Sequence, residues 1–224
     1  MEGHWTGYIG SLHVHWDTLI TMWTAMLFVI FGSFLLTRNL KIVPDKIQVI
    51  AEGLVNFFSG SLSDVKNGEK HIPLVGSLFL FILFANLMGQ LPLRLIHLKQ
   101  GEFASPTNDI NMTAAMAVIV LVYYVVLGFK TKGIRAIWHG FSLDGIIIMF
   151  VDILEMVTRP LSLSLRLFAN IFAGEILISA LLGIFAIGLP IPAIFFELFV
   201  AFIQAFVFMM LSVAYISTAV SNEH

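Results

Sequence analysis

Long uncharged runs of apolar residues dominate the pattern of hydrophobic and polar positions in this chain. Residues 18–37, 72–93 and 110–129 form three such runs. About 20 consecutive apolar residues are enough to span the hydrocarbon core of a bilayer as an α-helix. Each run therefore predicts a membrane-spanning helix.

Residues 45–66, between the first two runs, have a different pattern. Apolar side chains recur at helical spacing, and polar side chains such as Gln48, Glu52 and Asn56 lie between them. This pattern predicts an amphipathic helix that lies along the membrane surface rather than crossing it. Glu52 is interpreted as part of its solvated face.

Apolar sequence resumes after Phe141, and its strongest break is GLPIP at residues 188–192. We expect two long helices, 144–187 and 192–220, joined as a tilted hairpin. The first would be about 65 Å long, roughly twice the hydrocarbon thickness, so it must tilt strongly or begin as a separate helix outside the membrane. Pro160 is the predicted kink.

These elements predict an all-α integral membrane protein with about five membrane-embedded helices and one interfacial helix, in a single membrane domain of residues 1–224. The composition agrees, because 58% of the residues are hydrophobic and 12% are charged, whereas an ordinary soluble domain is about 25% charged. Cys is absent, which excludes disulfides and thiol chemistry. The net charge of -2 and the lack of a basic run give no indication of nucleic acid as a partner.

The N-terminal segment, MEGHWTGYIGSLHVHWD, has no Lys or Arg and so lacks the charged region of a signal peptide. His13 and His15 alternate near Asp17, where a metal site can be imagined. No third ligand lies at a defined spacing, so we interpret these residues as polar side chains in an exposed tail.

Basic residues in the loops orient the chain. Five Lys or Arg lie in residues 38–71 and three more in residues 130–140, against Arg94 and Lys99 after the second run. Because cytoplasmic loops carry the excess of basic residues, 38–71 and 130–140 are expected on the cytoplasmic side. The N-terminus is then outside, and the hairpin returns the C-terminus to the cytoplasm.

Two polar features of the apolar runs predict local structure. Asn86 and Gln90 lie four residues apart on one helix face, which indicates a hydrogen bond between neighbouring helices more often than a wet pathway. Asn108 or Asp109 is expected to be the N-cap of helix 110–129.

Charged residues also occur within the apolar hairpin. Asp152, Glu155 and Arg159 are interpreted as an interfacial cluster. Arg166 lies deeper in apolar sequence. A guanidinium stays protonated in proteins and costs roughly 2.5–3.5 kcal/mol at the centre of a bilayer. Arg166 therefore indicates an ion or substrate pathway, the alternative being an arginine that snorkels to the head groups.

The spacing of the polar residues in the hairpin is informative. Arg166 and Asn170 are four apart and share a helix face, whereas Glu175 lies about 13 Å further along on a different side. Glu197 and Gln204, seven apart, share a face of the last helix. The hairpin thus offers a fixed positive charge and carboxylates at separate depths. A buried carboxylate can become a proton carrier near neutral pH, and an Arg166–Glu197 ion pair stays open.

The motif PLSLSLRLFANIFAGE at 160–175, Glu197 that follows 22 residues after its Glu, and QAFVFMMLSVAYIS at 204–217 together resemble subunit a of the F-type ATP synthase. That family is the stator channel subunit of a membrane-embedded rotary motor. The resemblance covers nearly the whole chain and includes PTNDINMT at 106–113.

The resemblance implies a role for each polar residue of the hairpin. Arg166 matches the essential arginine that faces the ion-binding carboxylate of the rotating c-subunit ring, keeps two half-channels separate and displaces the ion as each ring subunit passes. Asn170 matches the polar residue one turn further along, and Glu175 the acidic residue of the half-channel open to the outside. Glu197 matches its partner position on the last helix, and Gln204 the glutamine close to the arginine.

Two departures from the family pattern are visible. Ala169 stands where many members have Gly, and another small residue should still permit close approach of a helix. Counting outward from residue 189, a straight hairpin sets Gln204 beside Glu175 rather than beside Arg166. The family pairing therefore requires tilted or offset helices.

The resemblance also implies partners and a location. The partners are the c-subunit ring, b-type peripheral stalk subunits, membrane lipid and the rest of the F1Fo complex. No cofactor and no metal are implied, and the chain performs no covalent chemistry alone, only as part of an H+-transporting or Na+-transporting two-sector ATPase. A bacterial plasma membrane is expected, with thylakoid as the alternative, and H+ is favoured while Na+ stays open.

Two other function classes are weighed against this one. In a secondary transporter Arg166 would bind an anionic substrate, but such folds have inverted repeats and broken helices, and no repeat relates the two halves of this sequence. A purely structural scaffold would not need Arg166, Glu175 and Glu197 in apolar surroundings.

Overall fold

The computed structural model describes residues 6–9, 12–90, 105–133, 143–184 and 190–221. Within them the chain forms two short antiparallel strands followed by six α-helices. The strands are β1 (Thr6–Ile9) and β2 (Leu12–His15), and the helices are α1 (Trp16–Thr37), α2 (Lys46–Ser61), α3 (Ile72–Gln90), α4 (Ile110–Lys132), α5 (Leu143–Ile184) and α6 (Pro190–Val220). The 3-10 turns Gly68–His71 and Pro106–Asn108 precede α3 and α4.

The three predicted spans lie close to observed helices. Helix α1 starts two residues before the predicted residue 18, and α4 ends three residues after the predicted residue 129. Parts of the predictions fall outside the described residues, namely 91–93, 185–189, the basic residues Arg94, Lys99 and Arg135, and the side chain of Gln90.

Helix α2 is shorter than the predicted 45–66 because the chain turns at Leu62. The Leu62 N–H bonds to the carbonyl of Ser59 at 3.1 Å, which closes the last turn. Asn67 then adopts a left-handed conformation with φ 57°, which Asn tolerates better than most residues. Glu52, as predicted, faces solvent, where it accepts a hydrogen bond from Gln48 at 2.8 Å.

Helix α5 is continuous over its 42 residues, about 63 Å at 1.5 Å per residue. Pro160 lies inside the helix. Because proline has no N–H, it leaves the carbonyl four residues earlier without its helical donor. Despite this missing bond the helix continues on both sides of Pro160. The alternative that the segment before Pro160 forms a separate helix is wrong.

The fold is that of an all-α membrane protein. Among the described residues, four helical segments are long and apolar enough to cross a bilayer: Trp16–Thr37, Gly68–Gly89, Ile110–Lys132 and Ile191–Val220. The outer surface is apolar as well, with large exposed side chains such as Trp23, Phe31 and Phe195. An apolar surface of this extent is what lipid contact requires.

His15 and Asp17 are not polar side chains of an exposed tail, so that interpretation is wrong for these two residues. Strands β1 and β2 pair from Thr6 opposite His15 to Ile9 opposite Leu12. His15 is hydrogen-bonded to Asp109, and Asp17 is only 2% exposed. Tertiary contacts therefore hold polar residues that sequence alone assigned to solvent.

The apolar core lies between helices α2 to α6. Its largest fully buried side chains include Val75, Ile82, Val120, Leu163, Leu167, Phe208, Met209 and Ile216. On α5 the buried residues Leu163, Leu167 and Ile171 recur every four positions, so one face of this helix packs inward. Arg166 lies about 100° around the helix from the centre of this buried face, and its side chain is exposed.

Hydrogen bonds define the two ends of the helical bundle. At one end, which we call the Glu175 end, residues at the starts of α1 and α4 meet the later part of α5. At the other, the Arg159 end, the side chains of Thr131 and Lys132 donate to the carbonyls of Ala219 and Thr218 at 2.9 and 3.1 Å. Arg159 lies at this second end as well, where its guanidinium contacts Thr218.

Candidate functional site

Arg166 lies on the exposed face of α5, where its neighbours are apolar. Large apolar side chains on this stretch of α5, such as Leu161, Leu165 and Phe172, are also exposed. Within the described parts of the chain, no hydrogen bond or ion pair to Arg166 is found, and the open alternative of a pair with Glu197 is not observed. The guanidinium is therefore directed away from the bundle.

Asn170 follows Arg166 by one helical turn on the same continuous helix, so the predicted shared face is present. It is half-buried, whereas Arg166 is exposed. Ala169 is exposed as well. Its small side chain consequently faces outward beside Arg166 and does not serve close packing of α5 on α6.

Glu197 on α6 is 7% exposed and lies against the backbone of Gly174 on α5. A Cβ placed on Gly174 would overlap the Glu197 carboxylate, so only glycine leaves this space open. Gly174 directly precedes Glu175, which puts both carboxylates at nearly the same height in the bundle. The expectation of carboxylates at separate depths is wrong. Gly174 belongs to the motif at 160–175, but no pattern in that motif predicts this contact.

The contact of Glu197 with Gly174 also fixes the register of the hairpin. Seven residues after Glu197 comes Gln204, and seven residues before Gly174 comes Leu167, so in antiparallel helices of equal rise these two lie at similar height. Gln204, which is 7% exposed, is thus near the level of Arg166. The straight hairpin counted from residue 189, which set Gln204 beside Glu175, is wrong because the helices are offset.

Glu175 is half-buried and is held from outside its own helix. The side-chain amide of Asn108, in the Pro106–Asn108 turn, donates from Nδ2 to Glu175 Oε2 at 2.5 Å. A groove of about 360 Å³ along α5 is lined by Phe172, Glu175, Ile176, Ser179 and Ala180. Sequence analysis considered Asn108 only as a helix cap, and its contact with a residue 67 positions away left no signal in the sequence.

Asp109 is the N-cap of α4, as predicted, and connects the site to the N-terminal segment. Its Oδ1 accepts from the Asn111 N–H at 2.9 Å, and its Oδ2 accepts from His15 Nδ1 at 2.9 Å. Burial alone would raise the pKa of Asp109, but the hydrogen bonds from Asn111 and His15 outweigh it, and the pKa lies below its ordinary value of 3.8. Asp109 is therefore ionised at neutral pH.

The predicted charge cluster at the start of the hairpin is organised around Arg159. Its guanidinium pairs with Glu155 one turn earlier, and it lies over the rings of Tyr124 and Tyr215 at 5.7 and 5.0 Å from their centroids. Its Nη1 also donates to Thr218 at 3.4 Å. Sequence analysis missed both tyrosines, because an aromatic residue in an apolar helix has the pattern of a core or lipid-facing position.

Other polar predictions can be placed as well. Asn86 is fully buried in α3 and donates to the carbonyl of Ala201 in α6 at 3.4 Å, which confirms the predicted hydrogen bond between helices. In the part of the chain that the structure describes, no group of three His, Asp or Glu side chains is arranged to hold a metal ion.

The fold and these side chains define an integral membrane protein with ionisable groups inside an apolar helical bundle, a class in which such groups mark ion or substrate pathways. Comparisons with known proteins are more specific. The family model described as ATP synthase A chain matches residues 19–217. A protein of Gloeobacter violaceus, described as ATP synthase subunit a, is 43% identical over 224 aligned positions that cover 98% of this chain and 90% of that relative. The chain belongs to the ATP synthase A chain family and is a membrane protein of ion transport and ATP synthesis.

Proposed function

We propose that this chain is the stator channel subunit in the membrane sector of an ATP synthase, where it conducts protons through two half-channels that Arg166 keeps separate and thereby turns a ring of c subunits. Family membership supports the proposal. The observation that carries it is the position of Arg166, a guanidinium exposed on an apolar surface.

A charge in that position requires a partner from outside the chain. Arg cannot lose its proton in a protein, and its charge costs several kcal/mol in hydrocarbon unless it is paired. Among the described residues none forms an ion pair with Arg166. The partner that fits is a carboxylate on a neighbouring membrane protein, and the ion-binding carboxylate of a c-subunit ring meets this requirement.

The side chains around Arg166 suit a helix that passes close by. Ser162, Ala169 and Ala173 are small, exposed and on the same side of α5 as Arg166. Small residues allow helices in a membrane to approach closely. A ring helix could therefore bring its carboxylate within reach of the guanidinium without large side chains in between.

The arginine acts by controlling the ionisation of the ring carboxylate. A ring carboxylate must be neutral while it faces lipid, because its charge would cost several kcal/mol there. Beside Arg166 the ionised form is favoured, so the carboxylate releases its proton. The fixed charge also separates the two half-channels, because a proton that passed directly between them would have to cross it.

The outer half-channel is assigned to the Glu175 end. Glu175 and Glu197 take up and pass on the proton, and Asn170 and Gln204 provide polar side chains toward the level of Arg166. The closeness of Glu197 to Gly174 and the offset of the hairpin support this order. Each elementary charge that crosses 100 mV releases about 2.3 kcal/mol, which drives rotation.

Orientation and further partners follow from the same model. The basic residues at the Arg159 end support a cytoplasmic location for that end, with the N-terminus outside. We expect b-type peripheral stalk subunits to hold the chain against the ring, with lipid at the remaining apolar surface, in a bacterial plasma membrane. The proposed ion is H+, and Na+ is the alternative that the experiment below separates.

The test is ATP-driven ion uptake into vesicles that contain the assembled complex, with H+ and Na+ supplied in turn. We expect Arg166→Ala to abolish uptake while the subunit content of the complex stays that of the parent. The matched control is Arg38→Ala, which removes an exposed arginine outside this surface and should leave uptake near the parent level.

The outcomes separate the alternatives. The ion that accumulates in parent vesicles identifies the substrate. If Arg166→Ala vesicles take up ions at the parent rate, Arg166 has only a structural role and the half-channel model fails.

A further inference from the structure

The Pro106–Asn108 turn presents Asn108 to Glu175 from a firmly held backbone. Pro106 and Thr107 are fully buried. Ser105 donates to the carbonyl of Ala85 at 3.2 Å and shares a hydrogen bond with Thr107 at 2.8 Å. The turn is thus fastened to α3 on one side and continues into the N-cap of α4 on the other.

The residue after Asn108 adds a third attachment. Asp109 caps α4 and accepts a hydrogen bond from His15, which precedes α1. Asn108 therefore projects toward α5 from a turn that contacts three other elements. The Asn108 amide is placed by this framework rather than by Glu175 itself.

The two polar atoms of the Asn108 amide differ in their surroundings. Nδ2 donates to Glu175 Oε2 at 2.5 Å. Oδ1 is buried and accepts no hydrogen bond from any of the described residues. An amide carries a donor and an acceptor that exchange places when the group rotates by half a turn.

We propose that Asn108 is a positioning residue that holds the Glu175 carboxyl group in both of its protonation states. The Nδ2 donor serves the carboxylate, and after rotation of the amide the Oδ1 acceptor serves the protonated acid. The inference rests on the proposed role of Glu175 as a proton carrier. Asn108 gains and loses no proton, and the proton that Glu175 takes from outside passes on toward the ring.

An amide is better suited to this role than a charged side chain. An arginine or lysine at position 108 would favour the carboxylate alone, and an aspartate would favour the acid alone. Titratable groups near this region, among the residues that the structure describes, include Glu197 on α6, Asp109 and His15 beside the turn, and the buried Asp17 two residues after His15. A neutral amide at position 108 favours neither protonation state of the Glu175 carboxyl group by charge, so exchange in both directions stays accessible.

The test uses the whole complex in vesicles whose interior corresponds to the outer side of the membrane. ATP synthesis is driven at a fixed membrane potential while the internal pH is varied, which yields a maximal rate and a half-saturating pH. The variants are Asn108→Ala and Asn108→Asp. Asn111→Ala is the matched control, because Asn111 is exposed and, within the described ranges, its side-chain amide donates to Asp109 and not to Glu175.

If Asn108 supports both protonation states of Glu175, replacing it with alanine should change the maximal rate but not the half-saturating pH. Asn108→Ala should lower the maximal rate about twofold to tenfold, the range expected from the loss of one hydrogen bond. It should leave the half-saturating pH unchanged, because both states lose the same support. Asn108→Asp should raise the half-saturating pH by about one unit or more.

Two results would overturn the inference. If Asn108→Ala raises the half-saturating pH as Asn108→Asp does, the amide serves the carboxylate alone. If Asn108→Ala behaves like Asn111→Ala, Asn108 does not position Glu175. Glu175→Gln, measured in parallel, tests the underlying function separately: parent activity in that variant would refute the role of Glu175 itself.

Discussion

At the Glu175 end a carboxylate is held by the neutral amide of Asn108, whereas at the Arg159 end the Glu155 carboxylate is held by a guanidinium. A neutral amide can serve a carboxyl group in either protonation state, but an ion pair with arginine favours only the ionised one. Both carboxylates belong to the same apolar helix. The proposed proton transfer through Glu175 therefore depends on the chemistry of its partner more than on the depth of the carboxylate in the bundle.

The two ends also differ in how side chains pack around their charged groups. Gly174 leaves room for the Glu197 carboxylate against the α5 backbone. At the Arg159 end the rings of Tyr124 and Tyr215 flank the guanidinium. At the Glu175 end the absence of a side chain on Gly174 allows the Glu197 carboxylate to lie between α5 and α6. At the Arg159 end the two rings restrain a guanidinium that is already paired with Glu155.

The largest expected difference between the two ends comes from replacing one carboxylate at each. Glu175→Gln should lower ATP-driven proton uptake about a hundredfold or more, because it removes the proposed proton carrier of the outer half-channel. Glu155→Gln should lower uptake less than about fivefold, because its side chain is 45% exposed and such ion pairs contribute only about 0–1 kcal/mol.

Both substitutions keep the size of the side chain and remove only its charge, so each serves as the control for the other. Subunit content of the purified complex checks assembly. Comparable losses in the two variants would mean that both ends take part in proton transfer and would contradict the proposed difference between Glu175 and Glu155.

A smaller effect is expected from filling the space beside Glu197. Gly174→Ala should lower proton uptake about tenfold, because the new Cβ displaces the carboxylate, and overpacking typically costs about 1–3 kcal/mol. Gly183→Ala is the matched control, because it lies on the same helix with no atom within 4 Å of an added Cβ. Both changes add the same intrinsic helix propensity.

A second substitution tests the cause of that loss. Shortening the carboxylate by Glu197→Asp in the Gly174→Ala background should restore part of the uptake, because the overlap is relieved. Equal uptake by the Gly174→Ala and Gly183→Ala variants would show that the position of Glu197 is not critical.

The helices were predictable from sequence because their signal is local. A run such as 110–129 contains about 20 apolar residues without a charge, and only a helix satisfies its backbone in a membrane. Arg166 and Glu175 were predictable as candidate site residues for the same reason, since charges stand out in apolar sequence. Asp109 as an N-cap likewise depends only on its neighbours.

The missed features depend on distant residues. The bonds from Asn108 to Glu175 and from His15 to Asp109 join positions 67 and 94 apart, and no local pattern encodes either. The hairpin offset was missed because counting from a presumed turn assumes straight helices. It became visible only through the contact of Gly174 with the Glu197 side chain.

The smallest expected effect concerns the aromatic restraint at the Arg159 end. Tyr215→Leu removes one ring face from the guanidinium, which should destabilise the chain by about 1 kcal/mol and lower the temperature at which pumping is lost by roughly 2–4 °C. Tyr215→Phe keeps the ring and should remain close to the parent. The measurement is residual ATP-driven uptake after heating the assembled complex, with initial uptake at 25 °C as the second readout. Since the cation is already paired with Glu155, initial uptake should change little in either variant. A Tyr215→Leu variant that is as heat-stable as the parent but pumps poorly would instead assign this ring to the proton pathway.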